Sequence, residues 1–384
     1  MRAKTLVVLF IILGLLAGVS ALVIRLKAPT GAGGVLGTYL LKGLPVNEIA
    51  SISIESPEKS VSLATVSGRW VVKDRFDYPA DFSKIADFVR KLKNAKIGRR
   101  FESSKDTLKR LSLKSPEDRG AADTEKGSQI QMQDKSGKLL AHVLLGKIRR
   151  SGGESSFPDG QYVRLGNDPT IYLIDIHFAH LQKDPSDWLE KTPVKVEANE
   201  VKKISCLSAD GKTIRFRFER PEKGKDLEPE ALPAHQKVDT SALNRLARAL
   251  SSLGIKDVTD PSDDSASTEL KRSNRLEYHM FNGMTYRVYP GKSCSESDRC
   301  YLKLEVDYKR PAPEEKTAAE DKELKKEEPP AEKTPGERSI EAKKINDRLT
   351  PWVYVINKSQ HDAFVTDLAH LLEKPDKTPA KKSG

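Results

Sequence analysis

The chain has 384 residues, enough for two or three domains. It is 37% hydrophobic and 32% charged, too apolar for a wholly disordered chain and too polar for a multi-span membrane protein. The formal net charge of +11 suits an anionic bilayer or an acidic polymer; nucleic acid is the poorer match, because the basic runs lack interleaved aromatics.

Thr5 to Ile24 is almost wholly apolar, flanked by Arg2 and Lys4 before it and by Arg25 and Lys27 after it. A run of roughly 20 apolar residues spans a hydrocarbon core of about 30 Å. Residues 1–27 are therefore expected to be an uncleaved signal anchor. Val19-Ser20-Ala21 keeps a cleaved signal peptide as the competing reading. The anchor predicts a single-pass protein of a bacterial inner membrane, its bulk facing the periplasm or cell exterior and its N-terminal helix in contact with membrane lipid. Residues 28–43 read as a Gly-rich flexible stalk.

An α+β repeat is expected over 44–193. Ile49–Ile54 alternates apolar and small polar residues, the period of a half-buried strand. Val61–Ala64 and Trp70–Val72 follow as short strands. Asp81 then caps a helix with Phe82, Ile85, Phe88, Val89 and Leu92 at helical spacing. Strand patterns recur at Ser128–Gln133, Leu139–Leu145, Gln161–Leu165 and Thr170–Ile174. Phe178, Leu181, Trp188 and Leu189 suggest a closing helical segment.

The same order returns over 194–374: Val201–Leu207, Thr213–Phe218, a cap at Asp239, then Leu243, Leu246, Ala249, Leu250 and Leu253. Strands are expected at Leu276–Phe281, Thr285–Tyr289 and Tyr301–Val306, with Asn282-Gly283 as a hairpin turn, and at Trp352–Ile356. Phe364, Leu368, Leu371 and Leu372 suggest a last amphipathic helix. The expected fold class is thus α+β: an N-terminal transmembrane helix and a tandem repeat of antiparallel sheet with packed helices. Residues 311–344, built from Glu, Lys, Pro and Ala, read as a disordered insertion, and 375–384 as a disordered basic tail.

The chain lacks a phosphate-binding P-loop, a dinucleotide fingerprint, GxSxG and HExxH. No catalytic, cofactor or metal residues are assigned, and a non-enzyme is expected. His177 and His180, with Asp175 and Asp184 nearby, lack an obvious set of metal ligands; packed histidines are the plainer reading. Trp188 beside Asp187 suits sugar stacking, but its spacing from Leu181 suits the core better. Arg99, Arg100, Lys105, Lys109 and Arg110 form one basic run, Lys147, Arg149 and Arg150 another. Either is solvated surface or a contact for anionic lipid or glycan. Cys294 and Cys300 flank a short loop between strands, where a disulfide fits. Their spacing does not match a zinc site, and Cys206 reads as a buried, inert thiol.

Val46-Asn-Glu-Ile-Ala-Ser-Ile-Ser-Ile54, Gly68-Arg-Trp-Val-Val72, Tyr78-Pro-Ala-Asp81 and Asp187-Trp-Leu189 together resemble a bacterial, membrane-anchored domain-of-unknown-function family. Similar domains accompany gliding-type (Gld) ABC transporters. The resemblance implies an accessory protein of an ABC transporter or cell-envelope assembly, acting by protein–protein contact of its ectodomain. It carries no catalytic residues. An envelope glycan- or anionic-lipid-binding module is the alternative.

Overall fold

The structure, a computed structural model, describes residues 36–150, 158–232, 234–260, 270, 273–294, 298–311 and 333–373. Thr5–Ile24, the tail 375–384 and residues 312–332 of the expected insertion lie outside the described residues. The chain divides into two compact units: one takes the chain to Ser67 and Phe82–Asp184, the other Gly68–Asp81 and everything from Pro185 onward.

Through residue 184 the elements are β1 (Ser51–Glu55), β2 (Ser60–Val66), β3 (Arg69–Val72), β4 (Tyr78–Pro79), α1 (Phe82–Lys93), β5 (Ile97–Glu102), α2 (Lys105–Arg110), β6 (Ser128–Gln133), β7 (Leu139–Arg150), β8 (Pro158–Leu165) and β9 (Thr170–Ile174). The strands of the first unit pair antiparallel in the order β2-β1-β6-β7-β8-β9-β5. The alternation in β1 sets its register. Ile52 stands between Leu63 and Met132, and Ile54 between Val61 and Ile130, all buried. Each such side chain removed from water contributes about 1.5–3 kcal/mol, and a slip of one residue would turn the whole set to solvent. Helix α1 buries Ile85, Phe88, Val89 and Leu92, with Phe88 edge-on to Phe178 at 5.9 Å. Phe82, counted in the expected stripe, is 62% exposed at the helix start.

The second unit continues with β10 (Val201–Leu207), β11 (Ile214–Glu219), β12 (Glu228–Pro229), α3 (Thr240–Ala249), β13 (Asp257–Thr259), β14 (Arg275–Met280), β15 (Met284–Cys294), β16 (Cys300–Tyr308), α4 (Pro335–Leu349), β17 (Val353–Ile356) and α5 (Lys358–Phe364). Its strand order is β12-β11-β10-β14-β15-β16-β17-β13. From β11 onward this repeats the first unit's order, strand for strand. Asp239 caps α3 through the Ala242 amide, and the buried Tyr278 hydroxyl donates to the Leu246 carbonyl at 2.9 Å. The β3–β4 ribbon belongs to this unit too. There Tyr78 is buried edge-on to Trp352, ring centroids 5.1 Å apart, and donates to the Glu190 carbonyl.

This architecture overturns the expected α+β fold class; the expected transmembrane helix over Thr5–Ile24 lies outside the described residues. The described residues form two large antiparallel sheets with short helices, a β-rich fold. None of their helices is long and apolar enough to cross a membrane. Two expected helices shrink to 3-10 turns: Pro185–Trp188 in place of one spanning Phe178 to Leu189, and Leu368–Leu371 near the end. The described part of the expected stalk is pinned at Leu40, 5% exposed with its amide bonded to the Ala95 carbonyl, while Leu36 and Tyr39 stay about half exposed. Residues 335–344 of the expected disordered insertion are helical in α4. Thr334 and Glu337 close a reciprocal capping box at its start, and Ala342 and Leu349 are buried.

Candidate functional site

A cleft of about 570 Å³ opens in the first unit, and its shape begins with an irregular strand. The pairing of β7 with β8 shifts register between Leu145 and Ile148, so Gly146 falls out of the β7–β8 ladder. The Gln161 side chain, on a residue 5% exposed, replaces the lost pairing. Its Nε2 donates to the Gly146 carbonyl at 2.8 Å, and its Oε1 accepts from the Phe178 amide at 2.8 Å. One side chain thereby ties β8 to the displaced β7 backbone and to the segment after β9.

Glycines let a second segment approach. A Cβ on Gly127 would stand 2.5 Å from the Leu145 carbonyl oxygen and 2.7 Å from that of Ser112; a Cβ on Gly146 would collide with the Leu111 carbonyl. The backbone of 111–114 runs through this gap. The Lys147 amide donates to Leu111 O and the Gly127 amide to Lys114 O. Ser112, with φ at +53°, turns its hydroxyl onto the Thr124 carbonyl at 2.6 Å. The turn between β1 and β2 forms another wall. Ser56 Oγ donates to Lys59 O there, which fixes the turn.

Four lysines, Lys59, Lys126, Lys147 and Lys183, line this space against two carboxylates, Glu58 and Asp123. Lys126 pairs with Asp123 at 2.9 Å and Lys59 with Asp184 at 2.7 Å. Lys147 and Lys183 are exposed. Serine hydroxyls at 56, 112 and 128 and an apolar floor of Leu145, Ile148 and Phe178 complete the lining. Such a surface attracts anions and offers hydroxyls and backbone for orientation.

The charged face of the second sheet is different. Glu277 sits among Arg275, Arg287 and His279 at 3.4, 3.4 and 3.6 Å, and Arg217 holds Glu230 through both carboxylate oxygens. Burial, followed by the charge of Lys203, pushes His279 down to about 4. Two of the cleft's lysines are likewise paired, but Lys147 and Lys183 are exposed and in no ion pair among the described residues, so the lysine cleft is the stronger candidate.

The basic runs singled out from the sequence do not line the cleft. Arg99 and Arg100 lie exposed on the edge strand β5, where Arg100 stands near Asp168 and Tyr172. Lys105, Lys109 and Arg110 ride on α2, with Lys109 at 4.0 Å from Glu125. Arg149 pairs with Asp159 at 3.4 Å across the β7–β8 ladder, and Arg150 ends β7. Of the two runs only Lys147 reaches the cleft. The other three lysines come from separate segments, and no linear pattern joins them.

Trp188 is 2% exposed and stacks on no ligand surface. Cys206 is buried, its thiol pushed up to about 11 by that burial, which suits an inert core residue. Cys294 and Cys300 form a disulfide with Cα atoms 4.3 Å apart. Among the described residues His177 and His180 join no group of three His, Cys, Asp or Glu side chains able to share a cation. The group that does is Cys294, Cys300 and His361.

A family model described as "Domain of unknown function (DUF4340)" matches residues 70–272, rather more than half of the chain. No curated protein and no solved structure matches it. The matched stretch carries Gln161, Lys126, Lys147 and Lys183, but neither Lys59 nor the Cys294–Cys300 pair.

Proposed function

The chain belongs to the DUF4340 family, a domain of unknown function, and on that premise we propose that it is a non-enzymatic binding module for an anionic ligand of the cell envelope, a glycan or a lipid headgroup. The observation that carries this reading is the cleft itself: beside the paired Lys59 and Lys126 it exposes Lys147 and Lys183, around a polar pocket whose strands Gln161 ties together. The apolar stretch Thr5–Ile24 supports a place at the membrane, where such ligands are concentrated. The test compares Lys147→Glu with Lys183→Glu, made together, against Lys109→Glu with Arg110→Glu. Binding of the full-length protein is measured to vesicles rich in phosphatidylglycerol and to a soluble polyanionic glycan. At about 1 kcal/mol per basic residue, the cleft pair should weaken binding by at least about 30-fold, and the α2 pair should leave it nearly unchanged. The reverse ranking would return the site to the basic runs and refute the cleft.

A second reading is an accessory protein docked by its ectodomain to an ABC transporter of the gliding type. Its support is the resemblance of Gly68–Val72 and Tyr78–Asp81, the segment that forms the β3–β4 ribbon. Crosslinking of the tagged protein in native membranes, followed by mass spectrometry, tests it. Recovery of transporter subunits supports docking, and recovery of none removes it.

A further inference from the structure

One end of the second sheet gathers two sulfurs and an imidazole, on a site separate from the lysine cleft. Cys294 closes β15 and Cys300 opens β16 as direct cross-strand partners. Asn357 caps α5 through the Gln360 amide, and that helix carries His361. His361 is 3% exposed, and one of its ring nitrogens lies within 4.8 Å of both sulfurs.

The histidine's own bonds fit a ligand. Nε2 is 2.7 Å from the Gly291 carbonyl oxygen, a contact that requires the proton to be on Nε2. In the neutral ring Nδ1 then carries the lone pair. It is buried, and its near polar neighbour is Asp362 Oδ1 at 3.5 Å, which pairs with the ring when it takes a second proton and would lie beside a bound cation when it does not. A ring nitrogen bonded to a backbone carbonyl, with the other left as a bare acceptor, is the arrangement that orients metal-binding histidines.

The disulfide is not needed to define the hairpin. Its cysteines are 6 residues apart, and closing so short a loop is worth about 2.4 kcal/mol of chain entropy, less than a long loop would give. Strands β15 and β16 already pair from Met284–Tyr308 through Pro290–Leu302. That pairing does not depend on the S–S bond, so the hairpin is expected to persist when the bond opens. Cys300 is fully buried and Cys294 half-buried, so solvent and a reductant reach the pair from the Cys294 side.

We propose that Cys294, Cys300 and His361 form a redox-gated site for a thiophilic d¹⁰ cation, with Zn²⁺ as the probe. In the disulfide form the sulfurs have no thiolate to give, and the site is closed. A dithiol reductant opens it: two electrons and two protons pass to the S–S bond, yielding two cysteine thiols while the dithiol becomes a disulfide. Zn²⁺ then displaces one proton from each thiol and takes both thiolates and the neutral imidazole. Three protein ligands of the S₂N type leave a fourth tetrahedral position for water or an incoming group. The spacing of the two cysteines concealed this set because its third member lies on a helix beyond β17.

The test uses the full chain, reduced with a phosphine and titrated with Co²⁺ as a spectroscopic stand-in for Zn²⁺. A thiolate-to-cobalt charge-transfer band saturating at one equivalent is expected only after reduction, and Zn²⁺ should bleach it. Cys294→Ser and Cys300→Ser should each abolish the tight band, and His361→Ala should weaken Co²⁺ binding about tenfold or more. Cys206→Ala should leave it. Independently of the variants, Zn²⁺ should protect two of the three thiols of the reduced wild type from alkylation, with peptide mapping placing protection at 294 and 300. A reduced, folded protein with no stoichiometric band and no protection would overturn the proposal, and so would loss of the fold on reduction.

Discussion

Gln161 offers a direct check on how the cleft is built. Gln161→Leu keeps the volume but removes both bonds made by this buried amide, leaving the Phe178 N–H and the Gly146 carbonyl unpaired. Each orphaned group costs about 1–3 kcal/mol, so a local loss of about 2–6 kcal/mol is expected for the two. Hydrogen–deuterium exchange read by mass spectrometry converts that into about 30- to 20,000-fold faster exchange in peptides covering 158–184, with peptides from β15 and β16 as an internal reference. Gln161→Glu adds a sign test. The acid form can donate to Gly146 O and still accept from Phe178 N–H, whereas the carboxylate faces the Gly146 carbonyl as a second acceptor. Its folded pKa is therefore raised above the unfolded value of about 4.3. The variant should be near wild type below that pH and lose stability as pH climbs through the folded pKa. Acceleration of less than about fivefold in Gln161→Leu, or a pH-independent deficit in Gln161→Glu, would refute this account of the cleft.

Gly127→Ala should destabilise the first unit by about 1–3 kcal/mol in urea unfolding, because its Cβ meets two backbone carbonyls that have no room to withdraw. Trp188→Ala should cost about 3–5 kcal/mol and leave anionic-ligand binding unchanged wherever the variant is folded; a selective loss of glycan binding would contradict its burial. His279 has a folded pKa lowered from 6.5 to about 4, so the unfolded chain takes up its proton first. Its contribution is intact above about pH 6.5 and is lost as pH falls towards 4, by up to about 3 kcal/mol. Urea midpoints across that range should show the decline, and His279→Gln should flatten it.

Much of the local structure was legible in the residues. Period-two alternation located β6, β9 and β10 to the residue, and it found β1 and β14 to within a residue or two, because a half-buried strand must alternate. Asp239 could be read as a cap, since only a few side chains satisfy the first amides of a helix. The start of α4 was equally legible in Thr334-Pro-Gly-Glu337 but was masked by the charged composition around it. Helical spacing misled at Phe178, Leu181 and Trp188. Apolar residues three or four apart also arise when each is buried by a different neighbour, and here Pro185 starts a short 3-10 turn instead.

What the sequence determined by itself was short-range: strand periodicity, helix caps, the hairpin turn at Asn282-Gly283 and the nearness of Cys294 to Cys300. Tertiary structure decided everything that depends on residues far apart in the chain. It placed Gly68–Asp81 with the second unit, brought Lys59, Lys126, Lys147 and Lys183 round one cleft, and set His361 beside two sulfurs. The reason is physical. Backbone preference acts over a few residues, whereas a site forms where sheet register and core packing bring separate segments together, and the register is satisfied only when the whole sheet is assembled.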